Sequence, residues 1–305
     1  MPQQTVPPPL RARLLVGLQG ALSRVGLLPE LDRMIQTPLA KRLAMQTPGL
    51  LVGPLPVVPH TDDVVDGRVP VRVYRPEGAG AQVVVYAHGG GWAFGGVAGA
   101  DTICRQLAHT AGVVVVSVEY RLAPEAPFPA ALDDLLDAVA WTQERFPGQP
   151  LVIGGDSAGG NLTAAAAVVL RDKGETVAGQ LLLYPAVDLS FSLPGIDAYA
   201  GPGMSAAEVR TFVKHYLDGH DPRDPRVSPW FADAHGLPPA FVLTLGHDPL
   251  RDEGTAYAEK LLEAGVPVTL LDVPDHLHGS LSTPRLYPGT DRVYAAITAF
   301  LGGLS

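Results

Sequence analysis

The chain has 305 residues, of which 47% are hydrophobic and 17% are charged, and its formal net charge is -9 at pH 7. This length and apolar content are enough for one large sheet core in a single α/β domain. The acidic balance lacks the basic footprint by which proteins bind nucleic acid, so we expect no nucleic-acid partner.

The first 50 residues predict helices that need a partner surface. Apolar residues recur at helical spacing in residues 10–25 and 28–45, after a proline-marked lead. The stretch 14–18 faintly resembles the core of a signal sequence, but Gln19 and Arg24 interrupt it and no clear cleavage site follows. No apolar stretch reaches the roughly 18 residues that span a bilayer, so we expect a cytoplasmic protein without stable membrane association.

Strand patterns begin at residues 64–74, which predict a β-hairpin that turns at Asp66-Gly67. Short apolar runs then alternate with helical segments. The predicted strands are 83–87, 113–118, 151–153, 181–184, 240–245 and 266–273. Unbroken β-branched runs such as residues 113–116 indicate strands covered on both faces. The pattern therefore predicts a mostly parallel, doubly wound sheet.

A glycine-rich loop follows the predicted strand 83–87 and contains His88-Gly89-Gly90-Gly91-Trp92. Three successive residues without side chains let backbone amides approach an oxyanion closely. Alone, such a run is as often an ordinary glycine turn. We expect His88 to hold the shape of the loop through ring hydrogen bonds.

The single cysteine, Cys104, excludes a disulfide within this sequence and fits a reducing compartment. Its neighbours predict a helix, so we expect a partly buried thiol. The histidines do not fall at zinc-ligand spacings, and we expect neither a metal nor another cofactor.

A serine motif, Gly155-Asp156-Ser157-Ala158-Gly159, follows the predicted strand 151–153. Its two glycines leave room for a sharp turn that exposes the serine hydroxyl. An alanine-rich segment, residues 161–170, supplies the helix after the turn. The amide of Ala158, at the start of that helix, can stabilise negative charge on a carbonyl that Ser157 attacks.

The alternation of strands and helices lapses between residues 185 and 239. A connection this long within a compact domain is usually functional. We interpret residues 186–238 as part of a cap whose apolar side chains line a pocket, although each aromatic alone is more often simple packing. Its large apolar residues include Met204, Phe212, Tyr216, Trp230 and Phe231.

A carboxylate that orients a histidine should follow the serine along the chain. Asp248 comes at the carboxyl end of the predicted strand 240–245, where it can reach such a histidine. Asp252 and Glu253 fall in the first turn of the next helix, so we expect them to be caps favoured by the helix dipole.

Two histidines, His276 and His278, follow the predicted strand 266–273. We choose His278 as the base, because Gly279 after it permits a tight loop. We expect His276 to be a loop histidine without a catalytic role.

Together these motifs resemble the bacterial esterase branch of the hormone-sensitive-lipase family of α/β-hydrolase carboxylesterases. The matching segments, in the family's order, are 88–92, 120–125, 127–131, 155–161, 248–254 and 278–279. The family usually has phenylalanine after its histidine and glycine, whereas Ser280 stands there in this chain. We expect that change to affect loop packing or the pocket wall more than proton transfer.

The resemblance implies one α/β-hydrolase domain, residues 1–305, with a cap built from about residues 1–50 and 186–238. It implies Ser157 as nucleophile, Asp248 as triad acid and His278 as base. The implied oxyanion loop comprises Gly89, Gly90, Gly91 and Ala158, and the resemblance favours Gly90 and Gly91 as the direct donors. The implied activity is hydrolysis of small-molecule esters with short- to medium-chain acyl groups, through an acyl-enzyme.

Two other functions stay open on the same fold. One is a small-amide hydrolase with the same triad, and the other is a noncatalytic small-molecule receptor. Receptor relatives lose the triad histidine, whereas Ser157, Asp248 and His278 are all present here, which favours the enzyme. The sequence leaves the oligomeric state open, with a homodimer as one alternative.

Overall fold

An eight-stranded sheet organises the computed structural model, which describes residues 6–24, 30–37, 41 and 49–304. Its strands are β1 (His60–Val65), β2 (Val69–Tyr74), β3 (Val83–Ala87), β4 (Val114–Val118), β5 (Leu151–Asp156), β6 (Gly179–Leu183), β7 (Ala240–His247) and β8 (Val268–Leu277). They lie in the order β1-β2-β4-β3-β5-β6-β7-β8. β2 is antiparallel to both β1 and β4, and every pairing from β4 to β8 is parallel.

All the predicted strands form, and their boundaries differ mainly at the carboxyl ends. The hairpin turns at Asp66 and Gly67, both with positive φ, but its first strand begins at residue 60. β5 continues to Asp156, and β8 continues four residues beyond the predicted limit, to Leu277. Polar residues and a proline interrupt the apolar pattern of β8, yet its pairing with β7 continues past an irregularity near Leu245.

Helices cover both faces of the sheet. They are α1 (Leu10–Arg24), α2 (Leu31–Ile35), α3 (Gly49–Val52), α4 (Asp101–Ala111), α5 (Ala130–Arg145), α6 (Ala158–Asp172), α7 (Ala206–Leu217), α8 (Arg251–Glu263) and α9 (Thr290–Gly302). Buried residues of α5, α6 and α8 pack on one face, and those of α4 and α9 pack on the other. The predicted doubly wound architecture is confirmed.

The strand β3 illustrates why the sheet is buried on both sides. Val83 and Val85 face the α5 and α6 layer, whereas Val84 and Tyr86 face α4 and α9. All of them are fully buried. Each buried valine stabilises the fold by about 1.5–3 kcal/mol, so the continuous apolar pattern follows from this position in the sheet.

The N-terminal helices are described only in part. α1 agrees with the predicted segment 10–25, and α2 is the described helix within 28–45, of which residues 28–29, 38–40 and 42–45 lie outside the described residues. α1 packs through Ala12 against Leu277 and Tyr287, beside the end of β8. No described helix has the length and apolar character needed to cross a bilayer.

Candidate active site

The serine motif forms a tight turn between β5 and α6. Ser157 has φ 57° and ψ -118°, a backbone conformation that side chains rarely adopt, and its N–H donates to the carbonyl of Leu183 at 2.9 Å. A Cβ at Gly155 would lie 2.4 Å from the backbone of Gly159, and one at Gly159 would lie 2.0 Å from the carbonyl oxygen of Ala87. The turn therefore requires both glycines, and it presents the hydroxyl at the carboxyl edge of the sheet.

Ser157, His278 and Asp248 lie just past the ends of β5, β8 and β7 and come together in one line. The distance from His278 Nε2 to Ser157 Oγ is 2.8 Å, and that from His278 Nδ1 to Asp248 Oδ2 is 2.7 Å. The other oxygen of Asp248 accepts the N–H of Leu250 at 2.8 Å. A carboxylate next to Nδ1 holds the ring proton there, so Nε2 is left to accept a proton from the hydroxyl.

Burial and charge act in opposite directions on His278. Burial alone would lower the pKa of its imidazole. The charge and the hydrogen bond of the Asp248 carboxylate raise it, with a smaller contribution from the charge of Asp156, and the net result is a raised pKa. The ring is thus a stronger proton acceptor than a free histidine.

His276, the other histidine near the end of β8, lies apart from the Ser157–His278–Asp248 group. It belongs to β8, so the prediction that it lies in a loop is wrong, because the strand extends further than its apolar pattern. The ring is fully buried, with Nδ1 3.0 Å from Asp275 Oδ1 and its centroid 4.9 Å from that of Tyr287. Burial lowers the pKa of His276. None of these contacts joins it to Ser157.

The glycine-rich loop adopts conformations that need glycine. Gly90 has φ 122° and Gly91 has φ 60°. A Cβ at Gly90 would lie 2.3 Å from the carbonyl oxygen of Phe94, and one at Gly91 would lie 2.3 Å from the ring of Phe212. Within the described part of the chain, no acceptor pairs with the N–H of Gly90, Gly91 or Ala158, and all three residues line the same cavity as Ser157.

Gly89 differs from the other members of the predicted oxyanion loop. Its N–H donates to Asp156 Oδ1 at 2.9 Å. That amide is already paired and is directed at a side chain of the protein. Of the four amides predicted for the oxyanion loop, those of Gly90, Gly91 and Ala158 have no acceptor among the described residues.

Two aromatic residues brace the start of the loop. The His88 ring makes the expected hydrogen bond, with Nδ1 2.8 Å from the carbonyl oxygen of Gly89, and it stacks on Tyr120 at 4.1 Å. The hydroxyl of Tyr120 donates to the carbonyl of His88 at 2.7 Å. Burial lowers the pKa of His88 to about 4, so the ring is neutral at pH 7. This arrangement gives His88 a structural role.

Two other residues are more buried than their sequence context indicates. Glu253 is not a solvated cap: it is 5% exposed and accepts the N–H of Val187 at 2.7 Å, while Asp252 is exposed. Burial raises the pKa of Glu253 to about 8. Cys104 is fully buried instead of partly buried, because α4 packs its side chain against the sheet, and burial raises the pKa of its thiol.

A cavity of about 210 Å³ opens in front of Ser157. Its apolar lining comes from loops at the sheet edge, from α4 and from the long connection after β6, and includes Trp92, Ile103, Met204, Val209, Phe212 and Leu250. Tyr216 does not line the cavity but stacks on Trp92 at 4.5 Å. Trp230 and Phe231 lie outside the lining.

The departure from the family pattern at Ser280 concerns loop packing. Ser282 contributes to the cavity wall, whereas Ser280 does not.

The segment after β4 holds the far end of the glycine loop. The N–H of Ala123 donates to the carbonyl of Trp92 at 2.8 Å. Arg121 pairs with the buried carboxylate of Asp134 on α5 at 2.8 Å, which fixes the segment to the core. The sequence motif at 120–125 carried a family resemblance but no assigned role. The structure assigns it to support of the loop.

Comparison with known proteins agrees with this geometry. A family model described as alpha/beta hydrolase fold matches residues 84–282. The carboxylesterase NlhH of Mycobacterium tuberculosis is 39% identical over 284 residues, covering 86% of this chain and 88% of its own length. The ethyl acetate hydrolase of Pseudomonas putida is 40% identical over 229 residues, covering 70% of this chain and 72% of its own. A crystal structure of an esterase from the bacterial hormone-sensitive lipase family has a TM-score of 0.79 and 33% identity, covering 90% of this chain and 97% of that chain.

Proposed function

Because the chain belongs to the hormone-sensitive-lipase family of alpha/beta hydrolases and is a carboxylic ester hydrolase, we propose that Ser157, His278 and Asp248 are its catalytic triad. One observation carries this proposal: Nε2 of His278 lies 2.8 Å from the Ser157 hydroxyl while Nδ1 lies 2.7 Å from Asp248. A hydroxyl, an imidazole and a carboxylate in this order make the serine a nucleophile at neutral pH.

In the first step, Ser157 Oγ attacks the ester carbonyl as its proton passes to His278 Nε2. Asp248 keeps the ring in the required tautomer and stabilises the cation that forms. The N–H groups of Gly90, Gly91 and Ala158 stabilise the negative carbonyl oxygen. His278 then gives its proton to the departing alcohol, which leaves an acyl group on Ser157.

In the second step, water replaces the alcohol. His278 removes a proton from the water, the hydroxide attacks the acyl carbonyl, and the same amides stabilise the second oxyanion. The C–O bond to Ser157 breaks, the serine recovers its proton from His278, and the carboxylic acid departs. No metal or other cofactor takes part in this scheme.

The preferred substrates are esters with short- to medium-chain acyl groups. A cavity of about 210 Å³ with an apolar wall suits small acyl groups. The similarity to an enzyme named for ethyl acetate supports the short end of the range. We place Phe212 at the limit of the cavity, because its ring lies over Gly91 and faces the lining.

The substrate range is tested by measuring kcat/KM over a series of p-nitrophenyl esters of increasing acyl length. We expect the highest kcat/KM for short acyl chains. Phe212→Ala should move this maximum to longer chains, with kcat/KM rising about fourfold for each additional methylene that the enlarged cavity buries. Phe231→Ala makes the same change in the same connection but off the cavity wall, and should leave the profile unchanged. If Phe212→Ala leaves the dependence of kcat/KM on acyl length unchanged, Phe212 does not limit the acyl chain.

We propose a cap built from residues 186–238 and from the described part of about residues 1–50. Two contacts of α7 support this assignment: Phe212 lies over Gly91, and Tyr216 stacks on Trp92. α1 adds Ala12, which packs on Leu277 one residue before His278. Both sets of contacts lie at the edge of the sheet that carries the site, which supports a cap over the cavity.

A homodimer is our proposal for the assembly state. Among the described residues, β8 pairs with β7 alone, and Leu270 in β8 is 42% exposed. An unpaired edge strand is a template for pairing with a second copy. Light scattering after gel filtration should give twice the chain mass, and Leu270→Arg should return the mass of a monomer.

A further inference from the structure

The carboxylate of Asp156 is buried beside the nucleophile, yet it takes no step in the mechanism above. Asp156 ends β5, directly precedes Ser157 and is 7% exposed. A carboxylate removed from water needs compensating hydrogen bonds to stay in place. The partners of this side chain therefore indicate what it does.

Those partners come from the strand and loop next to β5. Asp156 Oδ1 accepts the N–H of Gly89 at 2.9 Å and the hydroxyl of Tyr86 at 2.8 Å. Oδ2 lies 3.5 Å from the hydroxyl of Tyr184. A Cβ at Gly89 would lie 2.4 Å from Oδ2, so the loop approaches the carboxylate as closely as glycine permits.

We propose that Asp156 is a positioning residue that fixes the oxyanion loop relative to the nucleophile, acting through the N–H of Gly89. This inference rests on the proposed triad mechanism and adds a determinant of its geometry. Gly89 directly precedes Gly90, and Asp156 directly precedes Ser157. One hydrogen bond thus joins the two segments a single residue away from an oxyanion donor and from the nucleophile.

Two further hydrogen bonds hold the loop, but they lead away from the nucleophile. The hydroxyl of Tyr120 holds the carbonyl of His88, and the N–H of Ala123 holds the carbonyl of Trp92. Both hydrogen bonds join the loop to the segment after β4, which lies away from Ser157. A bond from a backbone N–H to a carboxylate is shorter and stronger than one to a neutral acceptor. That strength matters because an oxyanion donor is effective only within a few tenths of an ångström of its position.

The test compares transition-state and ground-state binding in Asp156 variants. Asp156→Ala removes the acceptor, and we expect kcat to fall about 100- to 1000-fold, the effect of losing an oxyanion donor, with KM changed less than about threefold. Asp156→Asn keeps a neutral oxygen for Gly89, and should recover most of that loss. A trifluoromethyl ketone, which forms an oxyanion on the serine, should lose affinity in parallel with kcat, whereas butyrate should bind equally well.

Asp188→Ala is the matched control. Asp188 is also a buried carboxylate near β6, and it accepts hydrogen bonds from Ser190, Ser192 and Leu193. Asp188→Ala should lower the melting temperature, but it should change the affinities for the ketone and for butyrate by the same factor. Where Asp156→Ala does not fold, Asp156→Asn carries the test, with a predicted loss of about threefold to tenfold in both kcat and ketone affinity.

Active-site titration with a phosphonate separates the two proposals. If Ser157 is not the nucleophile, the wild-type protein will not be labelled there. If Ser157 is labelled and both Asp156 variants keep wild-type kcat and ketone affinity, the triad stands and the positioning role of Asp156 is wrong. Equal loss of ketone and butyrate affinity would also overturn it.

Discussion

At the scale of single residues, the proton acceptor of the site ties activity to pH. The proposed base, His278, must be neutral to take the proton of Ser157, so kcat/KM should fall as pH drops through its pKa. Burial lowers this pKa, but the carboxylates of Asp248 and Asp156 together raise it by more, so the acid limb should have its midpoint above the ordinary value of 6.5. A kcat/KM profile between about pH 5 and 8 measures this midpoint. A flat profile would exclude His278 as the base.

Removing the carboxylate partner gives the complementary result. Asp248→Asn no longer fixes the ring proton on Nδ1 and no longer raises the pKa. We expect kcat to fall about 10,000-fold. The same titration should place the midpoint of the residual activity lower than in the wild-type protein, because the charge of residue 248 then no longer opposes the effect of burial on the pKa of His278.

The conformation of Gly90 provides a second test at this scale. A Cβ here would lie 2.3 Å from the carbonyl oxygen of Phe94, and φ is 122°. Gly90→Ala should displace the loop and lower kcat at least 100-fold. Gly112→Ala is the control, since Gly112 has φ 65° with open space around it, and it should lose some stability but no activity. Normal turnover by Gly90→Ala would contradict the role of the loop.

The sequence predicts the residues of this site when local geometry requires them. Glycines at 155 and 159 and in the loop are identifiable because a tight turn or close backbone approach admits no side chain. Asp156 was missed because its partners, Gly89 and Tyr86, are distant in the sequence and meet it only through the pairing of β3 with β5. The one local signal for the proposed positioning role of Asp156 is its place in the sequence, directly after a buried strand and directly before Ser157.

At the scale of elements, the start of α8 couples folding to pH. Burial raises the pKa of Glu253 to about 8, above the ordinary value of 4.5. Between these values the folded chain keeps a proton that the unfolded chain releases, so the free energy of unfolding falls as pH rises. The slope approaches about 1.4 kcal/mol per pH unit in this window.

Glu253→Gln tests this coupling, because the amide still accepts the N–H of Val187 but does not titrate. Chemical denaturation at several pH values between about 5 and 8 should show the variant gaining stability relative to the wild-type protein as pH rises. Asp252→Asn, an exposed neighbour in the same turn, should give a curve parallel to the wild type. Parallel curves for Glu253→Gln as well would show that the buried carboxyl does not govern this slope.

Element boundaries show where sequence patterns end. The buried strands β3 and β4 agree with the sequence within one residue, because continuous valines are unambiguous there. β8 was ended too early, since Pro274 and Asp275 interrupt the apolar pattern although pairing with β7 resumes at Leu277. The burial of Glu253 was likewise hidden, because the segment that covers it lies more than sixty residues earlier in the chain.

At the scale of the whole molecule, the order of strands brings the site together. β3, β5, β7 and β8 are parallel, so their carboxyl ends share one edge of the sheet. The glycine loop, Ser157, Asp248 and His278 each follow one of these strands. The fold was predictable because strands alternate with helices, whereas the packing of α7 over the loop was not, since its apolar residues fit many arrangements.

The central claim is that Ser157 is the nucleophile of an ester hydrolase, and covalent labelling tests it most directly. The protein is treated with a fluorophosphonate, digested, and the adduct is located by mass spectrometry while esterase activity is followed on the same sample. We predict one adduct per chain, on Ser157, formed in proportion to the loss of activity, and none in Ser157→Ala. An adduct on another residue that accounts for the lost activity, or full activity of Ser157→Ala, would contradict the claim.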